Sequence, residues 1–179
     1  MTTARFALAA ACITTFSLGA VAVSRADKER ASPHADVTAT VGGKKITISY
    51  GRPYKKGRNI WGGLVPWDQV WRTGADEATT LTTDGDITLG TLKVPKGSYA
   101  LFTIPSQKKS WQLIVNKNPK QWGAFKYDAK DDLGKTEMKV GSGAEPVEQF
   151  TISIEPTGPK KATLKLAWDD LLASVPITP

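Results

Sequence analysis

The chain of 179 residues contains a single cysteine, Cys12, and a single histidine, His34. Cys12 lies within an apolar run from Phe6 to Val23, interrupted only by Thr14, Thr15 and Ser17. Arg5 precedes the run. Small residues follow it at the spacing a signal peptidase accepts, Ala20-Val21-Ala22 or Ser24-Arg25-Ala26. Residues 1–26 therefore read as a signal peptide cleaved after Ala26, which predicts an exported protein, periplasmic or secreted. The run is just long enough for an uncleaved anchor, but its alanine and threonine content makes it weakly apolar. A lipoprotein signal fits poorly. Ala9 stands three residues before Cys12, where a larger aliphatic is expected, and the apolar run continues beyond the cysteine. On this reading the mature chain has no cysteine, no disulfide and no transmembrane segment. Its core must hold it together. A domain of this size buries roughly two-thirds of its unfolded surface, which is enough.

The two scarcities also remove classes of chemistry. Without a mature cysteine, and with His34 alone, zinc and blue-copper sites lack their ligand sets. Asp128, Asp131 and Asp132 miss the spacing of a calcium-binding EF-hand and read as a solvated acidic turn. No metal and no cofactor is expected. A Ser-His-Asp triad would have to recruit His34, and no Gly-x-Ser-x-Gly elbow is present. Gly62-Gly63 and Gly74 lack the following Lys-Ser/Thr of a phosphate loop. Paired carboxylates for glycoside hydrolysis are a matter of space rather than spacing. Asp68, Asp76 and Glu77 are the nearest candidates.

Dense basic runs, internal repeats and a sustained helical period are missing too. The formal charge of the whole chain is +7, and removing Arg5 and Arg25 with the signal leaves +5. That balance suits anionic partners, but no stretch suggests nucleic acid. Lys93, Lys139 and Lys165 sit between apolar neighbours, as outward lysines do on soluble sheets.

Period-two alternation dominates what remains. Residues 27–35 read as a flexible, charged lead-in, and 36–179 as one domain. Val37, Ala39 and Val41 alternate with polar residues, Gly42-Gly43 makes a two-residue hairpin, and Ile46, Ile48 and Tyr50 return. Asp84-Gly85, Pro95-Lys96-Gly97 and Pro156 to Pro159 mark further turns. Tyr99–Ile104 and Trp111–Val115 are apolar throughout, as central strands are. Phe150, Ile152 and Ile154 share one face, as do Ala162, Leu164, Leu166 and Trp168, with a last strand over Leu171–Ile177. Eight to ten short strands predict an all-β fold: a single-domain antiparallel β-sandwich, jelly-roll-like or Ig-like, with one or two short helical turns. Those turns are expected at Pro66–Trp71 and Pro119–Trp122.

Two long connections interrupt the strands, residues 51–76 and 116–135. Tyr50-Gly-Arg-Pro, Lys56-Gly-Arg-Asn-Ile-Trp-Gly-Gly-Leu-Val-Pro and Val70-Trp-Arg-Thr-Gly-Ala-Asp-Glu-Ala-Thr occur in and beside the first. With Pro95-Lys-Gly-Ser-Tyr-Ala-Leu-Phe-Thr-Ile-Pro and Gln121-Trp-Gly-Ala-Phe-Lys-Tyr-Asp, the chain resembles an uncharacterised bacterial family, domain of unknown function 2911. The resemblance spans nearly all of the mature chain. It implies export and a β-rich fold, and it brings no activity and no catalytic residue. Asp76 departs from the family pattern, which more often shows Asn there.

Long ordered loops in a compact domain are often functional. Arg52, Arg58 and Arg72, with Glu77, suit bidentate recognition of a carboxylate, phosphate or sulfate. Trp61, Trp67 and Trp71 offer flat faces for a sugar ring, with help from Trp122 and Tyr127 of the second connection. The alternative pairs Arg72 with Glu77 and uses the tryptophans to plug the open end of the sandwich. Two functional classes follow. The first is a non-catalytic module of the cell envelope binding a glycan or small anionic ligand. The second is a hydrolase or lyase with a carboxylate–arginine site.

Overall fold

The computed structural model describes residues 30–179 except Lys109. The predicted signal peptide lies outside the described residues. No helix among the described residues is long and apolar enough to cross a membrane.

The fold is nearly all β. Among the described residues nine antiparallel strands form one continuous sheet: β1 (His34–Val41), β2 (Lys44–Gly51), β3 (Ala75–Thr83), β4 (Ile87–Leu89), β5 (Leu92–Val94), β6 (Gly97–Ile104), β7 (Ser110–Asn116), β8 (Asp132–Gly158) and β9 (Lys161–Thr178). Their order in the sheet is β1-β2-β3-β6-β7-β8-β9-β4-β5. The all-β expectation holds, as a single sheet rather than two. The β1–β2 hairpin forms where predicted. Gly42 and Gly43 have φ of 56° and 81°, the left-handed pair that a tight hairpin of this twist requires.

The last two strands are longer than the alternation suggests. Leu171–Ile177 is not a separate strand but the continuation of β9. Asp169, at φ 52°, bends the strand without ending it. Opposite this point β8 shifts register between Ser142 and Val147. The lower arm of the hairpin, residues 147–169, thereby leaves the plane of β7 and folds over the inner face of β2. Tyr50 fixes it there. The Ile152 amide donates to the Tyr50 hydroxyl at 2.9 Å, and the rings of Tyr50 and Phe150 meet edge to face at 5.7 Å. The sheet thus closes on itself in a sandwich-like way. Its large inner core contains Ile46, Ile48, Leu81, Leu101, Leu113, Phe150, Leu164, Leu166 and Trp168, all buried.

A smaller apolar cluster covers the outer face of β6 and β7. Ala100, Phe102 and Ile114 pack there against Ala78, Ala124 and Tyr127. This explains why β6 and β7 read as continuous apolar runs. One face looks into the main core and the other lies beneath the second long connection.

The helical turns fall elsewhere than predicted. The one helical element among the described residues is a 3-10 turn at Ala129–Asp131, started by the Asp128 side chain accepting from the Lys130 amide. The expected turn over 66–71 does not form because its amides are used by β6 and its extension. Asp68 N donates to Pro105 O and Trp71 N to Thr103 O, both at 2.8 Å. Residues 119–122 are likewise extended, with Gln121 O accepting from Ala78 N. The predicted lead-in also differs in its second half. His34 and Ala35 already belong to β1, and Pro33 O accepts from Arg52 N at 2.8 Å.

All nine strands and both clusters seen among the described residues lie within His34–Thr178, so a chain beginning at Asp27 carries all of them. Such a chain should unfold in one cooperative transition. In it, Phe150→Ala should cost about 3–5 kcal/mol in a denaturant titration, because a fully buried ring between Tyr50, Trp71 and Trp168 leaves a cavity the sheet cannot close.

Candidate functional site

The connection from Arg52 to Gly74 is held at both ends by backbone pairing. Phe150 N donates to Pro53 O and Lys55 N to Glu148 O, so the chain leaving β2 runs on against β8. At the far end Trp71 pairs with Thr103 beside β6. The middle is anchored by rings. Trp61 lies between Trp67, Trp71, Trp111 and Trp168 at centroid distances of 4.8–6.2 Å, and its Nε1 donates to Trp168 O at 3.3 Å. Trp71 stacks on Trp168 at 6.0 Å and is only 7% exposed. The Trp71 indole is therefore enclosed by other rings, while Trp61, packed among them, stays partly exposed.

The arginines divide by role. Arg52 reaches β8, donating from Nε to Phe150 O at 3.2 Å and from Nη2 to Thr151 Oγ1 at 3.0 Å. Arg58 folds back on its own loop. Its Nε donates to Lys55 O at 3.0 Å and its Nη2 to Tyr54 O, but the residue remains exposed. Arg72 is half-buried. Its Nε is buried with no hydrogen-bond partner, and it forms no ion pair among the described residues. It does not pair with Glu77.

The turn that carries Arg72 is strained. Thr73, β-branched and fully buried, has φ 56°, and Asp76 has φ 61°. A β-branched residue in the left-handed region is a genuine outlier, and strain of this kind concentrates at functional positions. The strain is held from two sides. Thr79 Oγ1 donates to Thr73 O at 2.6 Å. Gly51 lets β2 approach so closely that a Cβ there would stand 2.3 Å from Ala75 O.

Two groups of polar side chains meet at this turn. On one side a cavity of about 230 Å³ opens between the loop and β9. Val65, Trp71 and Trp168 give it apolar walls, and Arg58, Arg72 and Asp76 give it charge. On the other side lies Glu77, whose carboxylate accepts from Arg30 Nη1 at 3.0 Å and has His34 Nε2 2.8 Å away. Partial burial raises the Glu77 pKa. The residue's own backbone N–H, Arg30 and His34 outweigh this and hold the carboxyl below the ordinary glutamate range. Donor atoms of His34, Asp76 and Glu77 all lie within 4.8 Å of one another. The sequence reading expected no metal. These three side chains have ligating chemistry, but Arg30 already sits on the Glu77 oxygens and would have to be displaced.

The second connection closes the site from outside. Glu77 pairs with Trp122, and Gly123 N donates to Asp76 O at 3.0 Å. Tyr127 is a strut beneath this segment. Its ring meets Phe102 at 5.1 Å and its hydroxyl donates to Asp132 Oδ2 at 2.8 Å. Burial, then the Asp132 carboxylate and the nearby Asp128, push the Tyr127 pKa up, so it stays a neutral donor.

Of the residues singled out in the sequence, Arg58, Trp71 and Arg72 line the cavity, and Glu77 and Trp122 stand just beyond it. Arg52, Trp61 and Tyr127 tie the two connections to the body. A larger groove of about 660 Å³ lies on the other side of the loop, lined by Asn59, Trp61, Trp67, Asp169 and Asp170 among others. Sequence reasoning missed Arg30, His34 and Trp168. For His34 a signal was present: counting back along β1 from Gly42-Gly43 places it opposite Gly51, beside the Arg72–Glu77 turn.

Because the native Glu77 pKa is lowered from 4.5, its pairs stabilise the fold above that pH. The contribution should disappear as pH falls through the native value. In melting curves across pH, Glu77→Gln should melt below the parent at neutral pH, and the two should converge in acid.

No curated protein and no solved structure matches the chain. The model of the family described as "Protein of unknown function (DUF2911)" matches residues 32–177, which take in almost all of the sheet, both long connections and every residue of the Arg72–Glu77 turn. The chain belongs to that family.

Proposed function

We propose that the protein is a non-catalytic binding module of the cell envelope, and that the cavity beneath Arg58 and Arg72 takes a small anionic ligand. One observation carries this reading. Arg72 is held half-buried on a strained turn, at the wall of a cavity, with no carboxylate of the protein paired to it. A guanidinium that is partly desolvated and left without an ion pair is costly, and an incoming carboxylate or phosphate relieves that cost by bidentate hydrogen bonding. The volume suits a ligand of only a few heavy atoms, smaller than those of drug-sized pockets. The apolar walls from Trp71 and Trp168 raise the strength of such a contact by excluding water. Trp71, the tryptophan of the loop that lines this cavity, is enclosed and leaves little open face for stacking a sugar, which favours the anion over a neutral glycan at this position.

A second reading, a hydrolase or lyase, rests on the 2.8 Å approach of His34 Nε2 to the Glu77 carboxylate at a partly exposed position. A base oriented by a carboxylate is a recurrent catalytic pair. Here Arg30, not Arg72, is the arginine on Glu77. Its lowered pKa makes Glu77 a positioning group or a base, and a poor proton donor at neutral pH.

Inorganic phosphate, sulfate and succinate provide the test. At least one should raise the melting temperature in a concentration-dependent way, as a ligand of the native state must. Arg72→Gln should abolish the rise, and Arg58→Ala should weaken it by roughly tenfold in apparent Kd, the loss of about one charge-assisted hydrogen bond. If Arg72→Gln, folded, keeps the full response, the cavity is not the site.

A further inference from the structure

The outer connection between β7 and the 3-10 turn presents two large apolar rings to solvent. Trp122 is 57% exposed and Phe125 87%. The loop beneath them is firmly held. Gln121 Nε2 donates to Asn116 Oδ1 at 3.0 Å, Gly123 N to Asp76 O at 3.0 Å, and Tyr127 packs on Phe102. The rings therefore project from a fixed platform, and neither takes part in either apolar cluster of the fold.

Their neighbours are cationic. Lys117, Lys120, Lys126 and Lys130 are all exposed, against Asp128 and Asp131, so residues 117–131 carry a net charge of +2. This combination discriminates between partners. Lysine is depleted at the centres of protein–protein interfaces. Aromatic rings interleaved with lysines suit a lipid surface, where the rings sit at headgroup level and the ammonium groups meet anionic headgroups.

We propose that the 117–130 loop docks the protein on an anionic lipid surface, with Trp122 and Phe125 entering the headgroup layer and Lys120 and Lys126 beside them held by lipid phosphates. The inference is independent of the ligand assigned to the Arg72 cavity.

Vesicle co-sedimentation tests it, using a chain that begins at Asp27, which carries every described strand and both apolar clusters and lacks the apolar N-terminal run. The protein should pellet with vesicles of phosphatidylglycerol and phosphatidylcholine in equal parts. It should not pellet with phosphatidylcholine alone, and added salt should release it. Trp122→Ala with Phe125→Ala, and separately Lys120→Glu with Lys126→Glu, should each lower the partition coefficient at least about tenfold. All four side chains are exposed, so melting curves should confirm that both variants stay folded. Three results overturn the proposal: a folded parent that fails to pellet with the anionic vesicles, equal binding to both vesicle types, or an aromatic double variant that binds as the parent does.

Discussion

The body of the protein is tied together where the loop tryptophans meet Trp168 and Phe150. Trp61 and Trp71 come from the first connection, Trp111 from β7, Phe150 from β8 and Trp168 from β9. These rings bring together segments more than a hundred residues apart in sequence. In a fold without disulfides among the described residues, such a cluster does the work a cross-link does elsewhere. It fixes a long, glycine-rich segment whose backbone could not otherwise repay its ordering entropy. The position of Arg58 and Arg72 depends on it, because the cavity they line has Trp71 and Trp168 as walls.

Strand content was legible because strands bury alternate residues. Val37 to Val41, Ile46 to Tyr50, Phe150 to Ile154 and Ala162 to Trp168 all show their buried faces in the sequence. Where both faces are covered, alternation vanishes, and β6 and β7 were legible as apolar runs instead. The closure of one sheet on itself was not legible. It depends on a register shift in β8 and on the left-handed Asp169, and neither leaves a pattern in composition. The helical turns were misplaced because a proline permits a first turn but does not decide whether the following amides find a partner in a neighbouring strand.

The candidate site was half legible. Arginine and tryptophan in an unusually long loop pointed to the right segment. They did not separate residues that line the cavity from those that anchor the loop, since Arg52 and Arg58 look alike in sequence and differ only in what lies within reach. The expected pairing of Arg72 with Glu77 rested on nearness in sequence. The left-handed residues Thr73 and Asp76 turn the chain between them, and Glu77 meets Arg30 and His34 instead. Aspartate is among the few residues with a side chain that tolerate this backbone region, which suits Asp76 to the turn.

The path of β9 has a kinetic consequence. Trp168 lies near the end of the chain, yet it completes the enclosure of rings contributed from residue 61 onward. While the polypeptide emerges from N to C terminus, the first hairpin and the tryptophan-bearing segment have no lid until the last strand arrives. A topology so dominated by distant pairings assembles slowly, on the order of milliseconds to seconds. The greasy interior therefore stays open until β9 has been made, the interval in which a holding chaperone has the most to grip.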